Sequence, residues 1–289
     1  TATAGQANTV TVTFGNTNPV YPAANVSVAV TAPAGFTVAP LGPTTFASVA
    51  SGAQVTAKFA VTAPADYQAS SALDKIPVTS TATFGYGAST ATSTAAAPLV
   101  GVLPVSSNYR TAAFTTSAFG EKDDTFGIDA GGADMWLGTN QFGTVYLPAA
   151  LADGHAVTTQ VTAQDNTGPW ARAGIVVRNS LSGNTATGYL DLAVTPSNGC
   201  VLSWDSNGDG QLDQYSNMPQ FTAPSYLKLV RDGDVYTGYC STDGQNWTNV
   251  GIATVPSAAV VQDVGIFATA ANGGSGASGV ARFNGFTIS

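Results

Sequence analysis

The stretch Asn8-Thr-Val-Thr-Val-Thr-Phe14 alternates hydroxyl and apolar side chains with period 2. In an extended chain that spacing puts Val10, Val12 and Phe14 on one face and the threonines on the other, the pattern of a half-buried β-strand. The alternation returns at Val26, Val28 and Val30, at Val55, Ala57, Phe59 and Val61, and over Val78 to Phe84. Gly15-Asn16-Thr17-Asn18-Pro19, Ala32-Pro33-Ala34-Gly35 and Ala50-Ser51-Gly52-Ala53 punctuate these runs with turn residues. Several short strands at such intervals predict an antiparallel sandwich of immunoglobulin type. Composition agrees, because Thr, Ala, Val, Ser and Gly dominate and few good helix formers are present.

Beyond Ser93-Thr-Ala-Ala-Ala-Pro-Leu-Val-Gly-Val-Leu-Pro104 the sequence changes character. That uncharged, proline-broken run predicts a linker at 96–104 between domains at 1–95 and 105–289. Before it the only charged residues are Lys58, Asp66, Asp74 and Lys75, so the formal net charge of −8 arises in the second part. An acidic chain argues against nucleic acid or an anionic membrane as the main partner. No apolar run reaches the length of about 18 residues needed to cross a bilayer. The start at Thr1, without a signal peptide, suggests a mature or excised fragment.

The second part reads as a longer meander. Asp124 to Gly132 and Ala133 to Tyr146 read as strands, followed by His155 to Ala163. In Trp170-Ala-Arg-Ala-Gly-Ile-Val-Val-Arg178, Trp170, Arg172, Val176 and Arg178 share one face and Ala171, Ala173, Ile175 and Val177 the other. Asp232-Gly233 and Asp243-Gly244 mark hairpin turns that need positive φ.

Cys200-Val-Leu-Ser-Trp-Asp-Ser-Asn-Gly-Asp-Gly-Gln-Leu-Asp-Gln-Tyr215 carries the one spacing that dictates a chemistry. Asp205, Asn207, Asp209, the Gln211 carbonyl and Asp213 occupy positions 1, 3, 5, 7 and 9 of a calcium loop, with Gly210 at the sharp turn. Ser216 stands where a bidentate Glu would close it, and a strand leads in instead of a helix. The expectation is a calcium site in a β-rich loop, set against a metal-free turn rich in Asn, Asp and Gly. Cys200 and Cys240 are the only cysteines. Paired, they would close a loop of about 40 residues and stabilise the fold by about 4 kcal/mol, as suits an exported protein.

Two family resemblances add to this reading. Thr-Val-Thr-Val-Thr-Phe-Gly-Asn-Thr, Asn-Val-Ser-Val-Ala-Val, Ala-Pro-Ala-Gly-Phe-Thr-Val and Ser-Gly-Ala-Gln-Val-Thr-Ala-Lys-Phe resemble the immunoglobulin-like module associated with bacterial alpha-galactosidases. Trp170 to Arg178, Leu227-Lys-Leu-Val-Arg-Asp-Gly-Asp234, Ser241-Thr-Asp-Gly-Gln-Asn-Trp247, Asp263-Val-Gly-Ile-Phe267 and Ala281-Arg-Phe-Asn-Gly-Phe-Thr-Ile288 resemble the concanavalin-like jelly rolls of secreted actinobacterial glycosidases. The resemblance implies an all-β chain: an N-terminal immunoglobulin-like sandwich, then a C-terminal jelly roll, both accessory to a catalytic domain of the same chain and secreted with it.

Hydrolysis of a glycosidic bond usually needs two carboxyl groups. The single Glu, Glu121, cannot supply the pair of glutamates that related catalytic jelly rolls use. His155, the only His, follows a turn and has no Gly-x-Ser-x-Gly elbow to serve, so a solvated turn residue is expected. No catalytic residue is therefore expected. Binding a glycan or polysaccharide instead asks for aromatic faces with polar groups at the rim. All four Trp lie in the second part, and Trp170, Arg172, Arg178, Asp134 and Trp136 are the candidate ligand contacts. The competing readings are a purely structural or adhesive spacer, or a hydrolase in its own right.

Overall fold

In the computed structural model, which describes residues 1–289, the chain forms 23 strands and no helix. It divides into two compact units, Thr1–Ser70 with Asp74–Val102, and Ser71–Leu73 with Leu103–Ser289.

The first unit holds β1 (Ala7–Gly15), β2 (Ala23–Thr31), β3 (Thr37–Pro40), β4 (Thr45–Val49), β5 (Gln54–Thr62), all but the first residue of β6 (Leu73–Ile76), β7 (Thr79–Tyr86), β8 (Ser89–Ala96) and β9 (Leu99–Val102). They pair as a three-stranded sheet, β1-β5-β3, a four-stranded sheet, β4-β2-β7-β8, and a small β6-β9 pair. The period-2 faces meet between the sheets, where Phe14, Val26, Val28, Val30, Ala57, Phe59 and Val61 are buried. Asn16, 1% exposed, ties the turn after β1 to its surroundings. Its Nδ2 donates to the Tyr21 and Val49 carbonyls at 2.9 and 3.0 Å, and its Oδ1 accepts from the Tyr86 hydroxyl at 2.6 Å. Leu99–Val102, within the stretch read as a linker, is strand β9.

The second unit holds β10 (Arg110–Ala113), β11 (Ser117–Lys122), β12 (Thr125–Ala130), β13 (Gly143–Ala152), β14 (Ala156–Gln164), β15 (Arg172–Arg178), β16 (Leu190–Thr195), β17 (Gly199–Trp204), β18 (Gln214–Met218), β19 (Ser225–Asp232), β20 (Val235–Ser241), β21 (Thr248–Thr254), β22 (Val261–Thr269) and β23 (Gly279–Ile288). Two seven-stranded sheets result, in the orders β10-β13-β22-β15-β16-β17-β18 and β11-β12-β23-β14-β19-β20-β21. Their inner faces share one core that includes Ile128, Ile175, Leu192, Leu202, Leu229 and Ile266. The disulfide Cys200–Cys240, with Cα atoms 6.6 Å apart, joins β17 of one sheet to β20 of the other across this core.

One segment departs from the sequence reading. Residues 133–142, expected as the start of a strand, form a loop before β13 begins at Gly143. The backbone turns at Gly132 (φ +109°), Leu137 (φ +42°) and Gly138 (φ +84°). At Gly132 a Cβ would sit 2.4 Å from the Gln141 carbonyl oxygen, so the turn requires glycine. The alternation of Asp134 and Trp136 therefore reflects a loop and not a strand face.

Candidate functional site

The outer face of the β10-β18 sheet is roofed by this loop, which lays Met135 and Phe142 over Val176, Tyr189 and Phe267 as a second, smaller core. Hydrogen bonds hold it down: the Leu137 amide donates to the Leu212 carbonyl at 3.1 Å, and the Gln141 side chain accepts from the Ala133 amide at 2.8 Å. At its margin lies a pocket of about 200 Å³ lined by Asp134, Trp136, Trp170, Arg172 and Tyr215. Trp136 and Trp170 each meet Tyr215 edge-on, with ring centroids 5.7 and 5.6 Å away. Tyr215 is 49% exposed.

Arg172 forms the floor. It is buried, and its Nη1 donates to Asp191 Oδ2 at 2.9 Å, on the adjacent strand β16, and to the Ser203 hydroxyl at 3.1 Å, on β17 one strand further. Its Nε has no partner within the protein. The guanidinium carbon lies 6.0 Å from the Trp136 ring centroid. Asp191 is fully buried, and burial pushes its carboxyl up to about 6 although the Arg172 guanidinium pulls it down. A cation pinned from behind presents its remaining N–H groups in a fixed direction.

Of the expected ligand contacts, Asp134, Trp136, Trp170 and Arg172 converge here and Arg178 does not. Arg178 lies wholly inside, its guanidinium 3.7 Å from the Tyr189 ring centroid and its Nη2 donating to the Gly210 carbonyl at 3.1 Å. Burial lowers its pKa, opposed by the nearby Tyr189 and Asp205. Tyr215 was missing from the sequence reading, because a single Tyr after an acidic loop carries no periodic signal.

The loop read as a calcium site is internally hydrogen-bonded. Asp205, fully buried, accepts from the amides of Gly208 at 2.7 Å, Asp209 at 3.2 Å and Gly210 at 2.7 Å. Asn207 Oδ1 accepts from the Asp209 amide and Asp209 Oδ1 from the Gln211 amide, both at 2.9 Å. Asp213 accepts from the Ser206 amide and hydroxyl at 2.9 and 3.0 Å. No three Asp, Glu, His or Cys side chains gather as a group able to hold a metal ion. Arg178 reaches the loop from within, where its Nη2 meets the Gly210 carbonyl.

Glu121 accepts from the Ser106 amide at 2.6 Å. His155 is half-buried with Nδ1 lacking a partner, in place of the solvated residue expected.

Comparison with known proteins bears first on the N-terminal unit. Residues 2–85 match the NPCBM-associated, NEW3 domain of alpha-galactosidase. No curated protein matches the chain. Among solved structures, a functionally unknown protein from Saccharomyces cerevisiae aligns with a TM-score of 0.51 at 14% identity, over 63% of this chain and 96% of that one. The GH43 protein BlXynB from Bacillus licheniformis gives a TM-score of 0.44 at 16% identity, over 90% of this chain and 64% of that one. The exoplasmic/lumenal domain of VIP36, in a Ca²⁺/Man2-bound form, gives 0.36 at 12% identity, over 63% and 84%. Likeness at these identities concerns the fold alone.

Proposed function

We propose that the chain is a non-catalytic accessory region of a secreted carbohydrate-active enzyme, whose second unit binds glycan at the pocket of Asp134, Trp136, Trp170, Arg172 and Tyr215. The observation that carries this is the pairing of aromatic walls with a guanidinium anchored on Asp191. Aromatic rings offer apolar faces to the C–H side of a pyranose, while Arg172 donates to its hydroxyls and Asp134 accepts from them. A cavity of about 200 Å³ suits one terminal sugar better than the middle of a chain.

Binding is favoured over hydrolysis because Asp134 is the only carboxylate in the lining, and Asp191 lies behind Arg172, out of reach of a second catalytic role. The match of the first unit to a domain of alpha-galactosidase supports a catalytic domain elsewhere in the same chain, with this unit as spacer. The disulfide supports secretion into an oxidising compartment. Calcium in the Asp205, Asn207, Asp209, Gln211 and Asp213 loop belongs to the same reading. An ionised carboxylate has about four lone-pair sites, so the amide bonds already made leave acceptor capacity for a cation.

The test is binding of the intact protein to a glycan array, repeated with Trp170→Ala. Signal on a defined set of terminal sugars, lost in the variant, supports the pocket. A flat array leaves the spacer reading, and turnover of a glycan that Asp134→Asn abolishes would restore the hydrolase.

A further inference from the structure

The β11-β21 sheet carries a separate feature on its outer face. A bulge interrupts the pairing of β14 with β23 between Thr158 and Gln160. Beyond it, side chains line up across four strands: Thr125 of β12 stands opposite Asn284 of β23, Asn284 opposite Gln160 of β14, and Gln160 opposite Tyr226 of β19. Neighbouring strands lie about 4.8 Å apart, so the row runs about 14 Å across the sheet. It borders a depression of about 470 Å³ that Trp247 also lines.

The row is neutral and its hydrogen-bonding capacity is largely open. Thr125 donates to Asn284 Oδ1 at 2.8 Å, which orients the amide and leaves Nδ2 as a donor toward solvent. The Gln160 amide and the Tyr226 hydroxyl make no hydrogen bond inside the protein. Charged side chains flank the row at Asp243, Lys228 and Arg282, and each is engaged; Arg282 Nη1 donates to the Ser71 hydroxyl at 3.3 Å. Asp243 accepts from the amides of Gln245 and Asn246 at 2.8 Å, from the Ser241 hydroxyl at 2.9 Å and from Asn246 Nδ2 at 2.7 Å. The Lys228 ammonium lies 4.4 Å from the Trp247 ring centroid and 4.9 Å from that of Tyr239. The turn that engages Asp243 also braces the aromatic wall: a Cβ on Gly244 would meet the Tyr226 ring at 3.2 Å.

We propose that this face is a second, independent glycan-binding surface, which takes an extended neutral polysaccharide lying across β23, β14 and β19. Sugar hydroxyls both donate and accept, as do the amides of Gln160 and Asn284, and the C–H faces of the sugars match the rings of Tyr226 and Trp247. An open row reads the interior of a chain, where the pocket at Trp170 encloses an end. The surface does not depend on that pocket.

Affinity electrophoresis of the intact protein through gels containing galactomannan, arabinoxylan or mixed-linkage glucan tests it, with polygalacturonate as the anionic arm. At least one neutral polymer should retard the protein. Gln160→Ala with Asn284→Ala should weaken that retardation about tenfold, the worth of two neutral hydrogen bonds, at unchanged Tm. Trp170→Ala should leave it intact. The proposal is overturned if no neutral polymer retards the protein, if polygalacturonate retards it most, if the double variant migrates as the wild type, or if Trp170→Ala alone abolishes retardation. Retained retardation in Trp170→Ala combined with a flat array would sink the pocket reading and leave this one standing.

Discussion

Asp191→Asn tests which force governs the floor of the pocket. Burial favours the neutral acid and the Arg172 guanidinium favours the carboxylate, and the balance puts the folded-state value at about 6 against 3.8 for a free side chain. A carboxyl with a raised folded pKa holds its proton longer in the native state. Stability from this group is therefore full below about pH 3.8 and is lost as pH rises to 6. At 1.36 kcal/mol per pH unit the loss is about 3 kcal/mol. Asparagine has the same shape and no proton to release, so the variant lacks this component. Urea unfolding of both proteins from pH 3.5 to 7, followed by Trp fluorescence of the second unit, gives the difference in stability. It should shift by about 3 kcal/mol in favour of the variant across that pH range, the direction expected when desolvation exceeds the Coulombic gain of a buried pair. A difference that stays constant, or that shifts toward the wild type as pH rises, would refute the reasoning, because attraction to Arg172 would then have held the carboxylate ionised.

Asn16→Ala should destabilise the first unit by about 3 kcal/mol, since it leaves the Tyr21 and Val49 carbonyls and the Tyr86 hydroxyl without their partner. Calorimetry that shows the first unit melting unchanged would contradict this. Replacing Cys200 and Cys240 by Ala together should cost the second unit about 4 kcal/mol through the 40-residue loop they close; an unaltered denaturant midpoint would count against the loop-entropy account. Removing calcium with a chelator should lower the Tm of the second unit alone, by the equivalent of about 2.7 kcal/mol if the ion was present at a hundred times its Kd. Superimposable melting curves would rule the ion out.

Period 2 is a strong signal where a strand has one wet face, as Asn8 to Phe14 shows in β1; in Arg172 to Arg178 the alternation survives although both faces are buried, one in the core between the sheets and the other under the 133–142 loop. It misleads at 133–142, where Asp134 and Trp136 alternate as a strand would but glycines at 132 and 138 turn the backbone into a loop. The pocket is partly legible because Trp170 and Arg172 are two residues apart, although Trp170, read as part of the strand, stands in the turn just before β15. Tyr215 and Asp191 were not, since each reaches the site from a different strand and only the folded sheet makes them neighbours. Arg178 illustrates the reverse case. Its position in the pattern is the same as that of Arg172, yet one guanidinium found a carboxylate beside a cavity and the other an aromatic ring inside the core. Sequence spacing carries no information on which of the two a buried cation will meet.

The cross-link between β17 and β20 has a mechanical corollary. One end is rooted in the sheet that bears the Trp170 pocket, the other in the sheet that bears the Gln160 row. A tug on either face would thus be conveyed to the opposite layer through covalent bonds, and the layers cannot peel apart at that point under load while the sulfurs stay oxidised.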